Sequence, residues 1–129
     1  MTFRETLDRH LSAIGRRDLA ALGETLPSDA LMLIMSDGHL VRTVQAFLDL
    51  HRGWFAEPTW SLTTRIVNVI ESPELGVAVL HLDYRNNPRG RSPVGEQSYM
   101  SLVFALPEGR WVLVQDQNTP IKAPPASAT

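Results

Sequence analysis

The sequence has no cysteine among its 129 residues. This excludes disulfide bonds, thiolate catalysis and cysteine-ligated zinc or iron–sulfur sites. No apolar run approaches the roughly 18 residues of a membrane span. The first ten residues, MTFRETLDRH, carry scattered charges and lack the apolar segment of a signal peptide. From these absences we expect a cytoplasmic protein.

Neither sign of charge is in excess, since 12 basic and 14 acidic residues leave a net charge of −2. A nucleic-acid partner usually requires a clustered basic face, so we expect none, and we expect no membrane contact either. The histidines at positions 10, 39, 51 and 81 have no spacing that would pair two of them as metal ligands. No glycine-rich dinucleotide turn follows a strand. We therefore expect neither a metal nor a cofactor.

The N-terminal part has the periodicity of amphipathic helices. Hydroxyl and carboxylate side chains at Thr2, Asp18 and Thr43 are suited to cap three of them. An Asp37-Gly38 pair favours a tight turn between two short strands. The predicted helices cover residues 3 to about 15, residues 19 to about 26, and residue 44 to just before Pro58. The two hairpin strands cover 30–35 and 39–42.

The rest of the chain is rich in β-branched and aromatic residues. It predicts four long strands, over 59–70, 76–85, 97–106 and 111–118. Short connections favour an antiparallel meander, and helices grouped before a sheet indicate an α+β fold. Both faces of the strands carry apolar residues, so we expect the helices to cover one face and a second copy of the chain the other. We expect one domain over 1–121 and a disordered tail over 122–129.

The closing stretch, WVLVQDQNTP, carries a family resemblance. Trp111, a short apolar strand and then Gln117-Asn118-Thr119 resemble the nuclear transport factor 2-like, or SnoaL-like, superfamily, and within it the SgcJ/EcaC-like branch. The segment 29–38 is also similar to the family's pattern, whereas a glycine usual before the third helix is replaced by Arg42-Thr43. The resemblance covers roughly residues 3–121.

The resemblance implies a cone-shaped roll, in which three N-terminal helices pack on a curved, mainly antiparallel sheet and enclose a pocket. Many such proteins dimerise through the outer sheet face. Relatives of this kind include polyketide cyclases, ketosteroid isomerase, dehydratases and the association domain of calcium/calmodulin-dependent protein kinase II. The fold alone does not choose among these functions.

Candidate catalytic groups follow from the expected pocket. His51 lies on the apolar face of the third helix and could act as an acid or base near neutral pH, or be a packed core histidine; His10 has the same alternatives on the first helix. Tyr99 could donate a hydrogen bond to a substrate carbonyl. Isomerase chemistry of this type also needs a carboxylate base, and none is evident, because Asp83 is expected to face outward.

Strand alternation divides the last strand into two sets of side chains. The first is Trp111, Leu113, Gln115, Gln117 and Thr119, and the second is Val112, Val114, Asp116 and Asn118. We expect the first set to face the pocket. Gln117 is then a pocket residue and Asp116 an outer or interface residue. The alternative, in which Trp111 faces outward, exchanges the roles of the two sets.

The expected ligand-binding residues are mostly aromatic: Trp54, Phe55, Trp60, Trp111 and Thr119, with core or dimer packing as the alternative for the aromatic rings. Two functions stay open. One is a cofactor-independent acid–base enzyme of the cyclase, isomerase or dehydratase type, which acts on a hydrophobic carbonyl compound through His51, Tyr99 and Gln117. The other is a non-catalytic ligand-binding or association module.

Overall fold

Three helices precede most of the sheet, as the sequence predicts. The structure, a computed structural model, describes residues 1–122. Its helices and strands are α1 (Phe3–Gly15), α2 (Leu19–Gly23), β1 (Ala30–Ile34), β2 (Leu40–Thr43), α3 (Val44–Phe55), β3 (Trp60–Glu71), β4 (Leu75–Asn86), β5 (Val94–Ala105) and β6 (Val112–Pro120). A disordered tail was predicted over residues 122–129, and residues 123–129 lie outside the described part of the chain.

The helices begin at the predicted caps. Thr2 accepts a hydrogen bond from the backbone N–H of Glu5 at 3.1 Å, and Thr43 accepts one from Ala46 at 3.1 Å. Such caps satisfy amide groups that the first helical turn leaves without partners. Helix α2 ends at Gly23, earlier than predicted.

The sheet has six strands in the order β2-β1-β6-β5-β4-β3. The four long strands form the predicted antiparallel meander. Strand β1 pairs with β6 in parallel, with Met32 opposite Gln115, and this pairing was not predicted. The helices cover the concave face of the curved sheet, so the expected cone-shaped α+β architecture is confirmed.

The core lies between the helices and this face. Phe3 of α1 packs edge-on against Phe104 of β5, with ring centroids 5.6 Å apart. Gly76 of β4 leaves room for the same ring, since a Cβ there would meet it at 2.5 Å. Among the described residues, the helices are all too short or too polar to cross a membrane.

A β-bulge in β6 changes which side chains face the helices. Phe104 pairs with Leu113, but the preceding Val103 pairs with Gln115, so Val114 is an extra residue on β6. Leu113 is fully buried and Asp116 is 4% exposed, and both face the concave side although they are three residues apart. Side chains therefore alternate between the two sheet faces on each side of the bulge, but the alternation shifts by one residue at Val114.

Candidate functional site

The helices and the concave face enclose a cavity of about 430 Å³. This volume is typical of small-molecule sites. Most of its lining is apolar and includes Leu33, Leu62, Leu82, Met100 and Trp54. The polar side chains that reach it include His51, Tyr84, Glu96, Ser98, Asp116 and Asn118. Few polar groups on apolar walls can bind and orient a small hydrophobic molecule.

Asp116 is the buried carboxyl group of this cavity. It lies on β6 with Leu33 of β1 and Leu102 of β5 as its neighbours across the sheet. Its Oδ1 accepts a 3.2 Å hydrogen bond from Asn118 Nδ2. Burial raises the pKa of Asp116 to about 7, and the hydrogen bond from Asn118 opposes part of that rise. The carboxyl group can thus hold or release a proton near neutral pH.

The structure corrects the orientation expected for this strand. Trp111 and Leu113 face inward as predicted, but the extra residue Val114 turns Asp116 and Asn118 inward and Gln117 and Thr119 outward. A single inserted residue leaves the apolar pattern of the strand almost unchanged. No feature of the sequence alone marks the bulge.

His51 reaches the cavity from α3, as predicted. Its Nδ1 lies 2.8 Å from the carbonyl oxygen of Phe47. Because a carbonyl only accepts, Nδ1 must carry the hydrogen, and Nε2 of the neutral ring then has a free lone pair. Burial lowers the pKa of His51, while the bond to Phe47 acts in the raising direction. The ring is therefore a neutral acceptor at the cavity wall.

His10 is a core residue that does not line the cavity. Its Nδ1 donates to Thr25 Oγ1 at 2.8 Å, and the Thr25 hydroxyl donates in turn to Leu22 O at 2.8 Å. Burial, with a smaller contribution from His51, lowers the pKa of His10 to about 3. Nε2 is buried and has no partner in the part of the chain that the structure describes. His10 joins α1 to the turn after α2.

The aromatic wall of the cavity is held by a three-layer stack. Trp54 lines the cavity and stacks on Trp60 with ring centroids 4.1 Å apart. Trp60 donates from Nε1 to Trp54 O at 2.8 Å, and the Arg17 guanidinium lies 3.7 Å from the centre of the Trp60 ring. Arg17 also donates to Trp60 O at 2.5 Å. The rigid stack fixes the position of Trp54.

The remaining predicted site residues lie elsewhere. Phe55, Trp60 and Trp111 are buried behind the cavity wall, as core packing. Tyr99 is 45% exposed on the outer face, because β5 directs Ser98 and Met100 inward. The tyrosine that lines the cavity is Tyr84 instead. Tyr84 shares its face of β4 with the buried residues Ala78, Leu80 and Leu82, and this apolar pattern is the signal that could have identified it.

The described residues contain no cluster of metal-ligating side chains. In the range 1–122, no group of three or more histidine, aspartate or glutamate side chains comes close enough to hold a metal ion.

Solved structures with the same fold have little sequence similarity to the chain. A proposed calcium/calmodulin-dependent protein kinase type II association domain from Thiobacillus denitrificans has a TM-score of 0.76 at 15% identity, with 94% of this chain and 96% of that one covered. A proposed dehydratase of the nuclear transport factor 2-like family from Streptomyces avermitilis has a TM-score of 0.74 at 14% identity, and coverage is 93% and 94%. A ketosteroid isomerase-like protein from Erwinia carotovora atroseptica gives the same four values.

At these identities the structural neighbours establish the fold alone. No curated protein has significant sequence similarity to the chain. The family profile described as the SnoaL-like domain matches residues 4–120, which is nearly the whole described chain. The protein therefore belongs to the SnoaL-like family of the nuclear transport factor 2-like superfamily.

Proposed function

We propose that the chain binds a small hydrophobic carbonyl compound in the cavity and acts on it as a cofactor-independent acid–base enzyme of the isomerase or dehydratase type. The observation that carries this proposal is Asp116, a carboxyl group buried in a mostly apolar cavity of about 430 Å³. The family and fold are compatible with it, since structural neighbours include a ketosteroid isomerase-like protein and a proposed dehydratase.

Asp116 supplies the proton-transfer group. In its ionised form it removes a proton from the carbon next to the carbonyl, and in its protonated form it returns that proton to another atom of the same substrate. A pKa of about 7 keeps both forms populated near neutral pH. The cycle leaves the enzyme unchanged and requires no redox partner.

Tyr84 and His51 are proposed as the hydrogen-bonding groups. The Tyr84 oxygen accepts from Asn86 Nδ2 at 3.2 Å, which leaves its own hydrogen for a polar group of the substrate at the mouth end of the cavity, away from the carbon that Asp116 deprotonates. His51 Nε2 can accept a hydrogen bond from a substrate hydroxyl. The proposal keeps His51 and assigns the donor role to Tyr84, because Tyr99 and Gln117 do not line the cavity.

Proton exchange on a simple ketone tests this proposal. α-Tetralone in D₂O has exchangeable hydrogens next to its carbonyl, and NMR follows their loss. We expect the wild-type chain to accelerate the exchange and Asp116→Asn to abolish the acceleration. Asp83→Asn, which alters a carboxylate on the outer face, is the matched control. Equal exchange by wild type and Asp116→Asn would rule out the role of Asp116.

The outer face supports a second proposal, that two copies pair through the sheet. Val77, Val79 and Val103 are only half-buried there, and Tyr99 is 45% exposed. A symmetric dimer would cover this apolar strip. Light scattering tests it with Val79→Lys, which places a charge in the strip; we expect a dimer that this variant dissociates. A monomeric wild type would contradict the proposal.

This surface also favours the alternative function, a non-catalytic association module. A proposed association domain is among the structural neighbours. In that case Asp116→Asn would leave assembly and binding intact and no exchange would occur in wild type. We further propose that the chain lies in the SgcJ/EcaC-like branch, supported by its Gln117-Asn118-Thr119 terminus, in which Asn118 contacts Asp116.

A further inference from the structure

The charged side chains that line the cavity are both acidic in the described part of the chain. Asp116 and Glu96 are carboxyl groups in its lining, and within residues 1–122 no arginine or lysine lines it. Arg17 comes close behind the wall, but its guanidinium stacks on Trp60 and donates to Trp60 O. A bound anion would therefore meet no counter-ion in the cavity.

The two carboxyl groups lie at opposite ends of the site. The inward side chains of β5 become more exposed from Leu102 (0%), which lies opposite Asp116, through Met100 (6%) and Ser98 (7%) to the exposed Glu96. The six steps along the strand from Leu102 to Glu96 span about 20 Å. Asp116 is thus at the closed floor and Glu96 at the mouth.

Glu96 is free to interact with a ligand. It pairs across the sheet with Tyr84, whose ring lines the same cavity. In the described part of the chain the Glu96 side chain forms no ion pair within 4.0 Å, and Lys122, which follows β6, forms none either. The aromatic faces of Tyr84 and Trp54 attract cations as well as apolar groups.

We propose that the cavity selects apolar compounds that are uncharged or carry an ammonium group, that it rejects carboxylates and phosphates, and that Glu96 at the mouth determines this selection. The inference rests on the proposed function, in which the cavity is the ligand site. Its physical basis is the cost of bringing an anion past Glu96 into an apolar space, where the charge of buried Asp116 is weakly screened.

Three probes with the same ring test the proposal: 2-naphthylmethylammonium, 2-naphthylmethanol and 2-naphthoate. Calorimetric titration at pH 8 and low salt gives their affinities. We expect the ammonium probe to bind most tightly and the carboxylate at least about tenfold more weakly. Glu96→Gln should reduce that ratio several-fold without changing the affinity of the alcohol, and Glu96→Lys should reduce it further.

The matched control is Glu74→Gln, which removes an exposed carboxylate about 30 Å away at the other end of β4 and should leave all three affinities unchanged. Binding of the alcohol with equal affinities for both charged probes, or a ratio insensitive to Glu96, would overturn the charge selection alone. Absence of binding by all three probes would overturn the cavity as a ligand site and this proposal with it.

Discussion

Asn118 Nδ2 donates a 3.2 Å hydrogen bond to Asp116 Oδ1, and both side chains reach the cavity from the same face of β6. The contact stabilises the ionised carboxylate, whereas burial stabilises the protonated form. The proton affinity of Asp116 results from the balance of these two effects.

Replacement of Asn118 tests that balance. Asn118→Leu removes the donor and makes the surroundings more apolar, so the pKa of Asp116 should rise above its present value of about 7. NMR titration of the aspartate side-chain carbon measures it. Gln117→Leu, an exposed neighbour on the same strand, should leave the pKa unchanged. A lower pKa in Asn118→Leu would contradict the assignment.

Asp116→Asn should stabilise the fold at alkaline pH. The pKa is raised from 3.8 in the unfolded chain to about 7 in the folded one. The carboxyl group therefore favours folding below pH 3.8, and this contribution is lost as pH rises through 7. Its removal should increase the free energy of unfolding by up to about 4 kcal/mol at pH 8 and by little at pH 3.5, at 1.36 kcal/mol per pKa unit. Urea unfolding at both pH values measures the difference, and destabilisation at pH 8 would contradict it.

His10 should make the protein acid-sensitive. Its pKa falls from 6.5 in the unfolded chain to about 3 in the folded one, so the unfolded chain binds a proton first and stability is lost as pH falls from 6.5 towards 3. His51 acts in the same direction. His10→Asn keeps a donor for Thr25 but does not titrate. It should lower stability at pH 7 yet flatten the decline between pH 6.5 and 4 in urea unfolding; an equally steep decline would exclude His10 as a source.

Replacement of Arg17 should destabilise the protein more than replacement of its neighbour Arg16. Arg17→Leu removes the guanidinium from the Trp60 ring and the bond to Trp60 O, and should lower the free energy of unfolding by about 1–3 kcal/mol. The coupled Trp54–Trp60 signal in circular dichroism should weaken as well. Arg16, whose side chain donates to Ser12 and forms an ion pair with Asp18 at the surface, is the control. Equal effects of Arg16→Leu and Arg17→Leu would show that the stack does not hold Trp54.

The sequence predicted the helices and the meander well, because these depend on local patterns. Thr2 and Thr43 cap helices as expected, and Asp83 faces outward from β4 as predicted, between the cavity-lining Leu82 and Tyr84. It did not predict that β1 joins β6, since an apolar strand pattern indicates which faces are buried but does not specify a partner strand.

The side chains that face the cavity were harder to predict than the fold, because local patterns do not show where a strand is irregular. His51 was predicted because helical periodicity directs it at the sheet, and Trp54 because its aromatic ring suits an apolar pocket; both line the cavity. Asp116 was assigned to the wrong face, because alternation was extended through Val114, where one unpaired residue resets it. Tyr99 was expected in the cavity for its hydrogen-bonding ability alone, whereas alternation along β5 directs it outward between the inward-facing Ser98 and Met100.

Because of the bulge at Val114, the residues of β6 before it and those after it can be mutated independently. Trp111 and Leu113, before it, are fixed by their packing in the core, whereas Asp116 and Asn118, after it, contact each other and the cavity space. Substitutions at positions 116 and 118 can therefore change the polar groups of the cavity floor without repacking the hydrophobic interior. The SnoaL-like scaffold in this chain thus offers two positions on one face of β6 at which other side chains can be placed in the cavity while the fold stays unchanged.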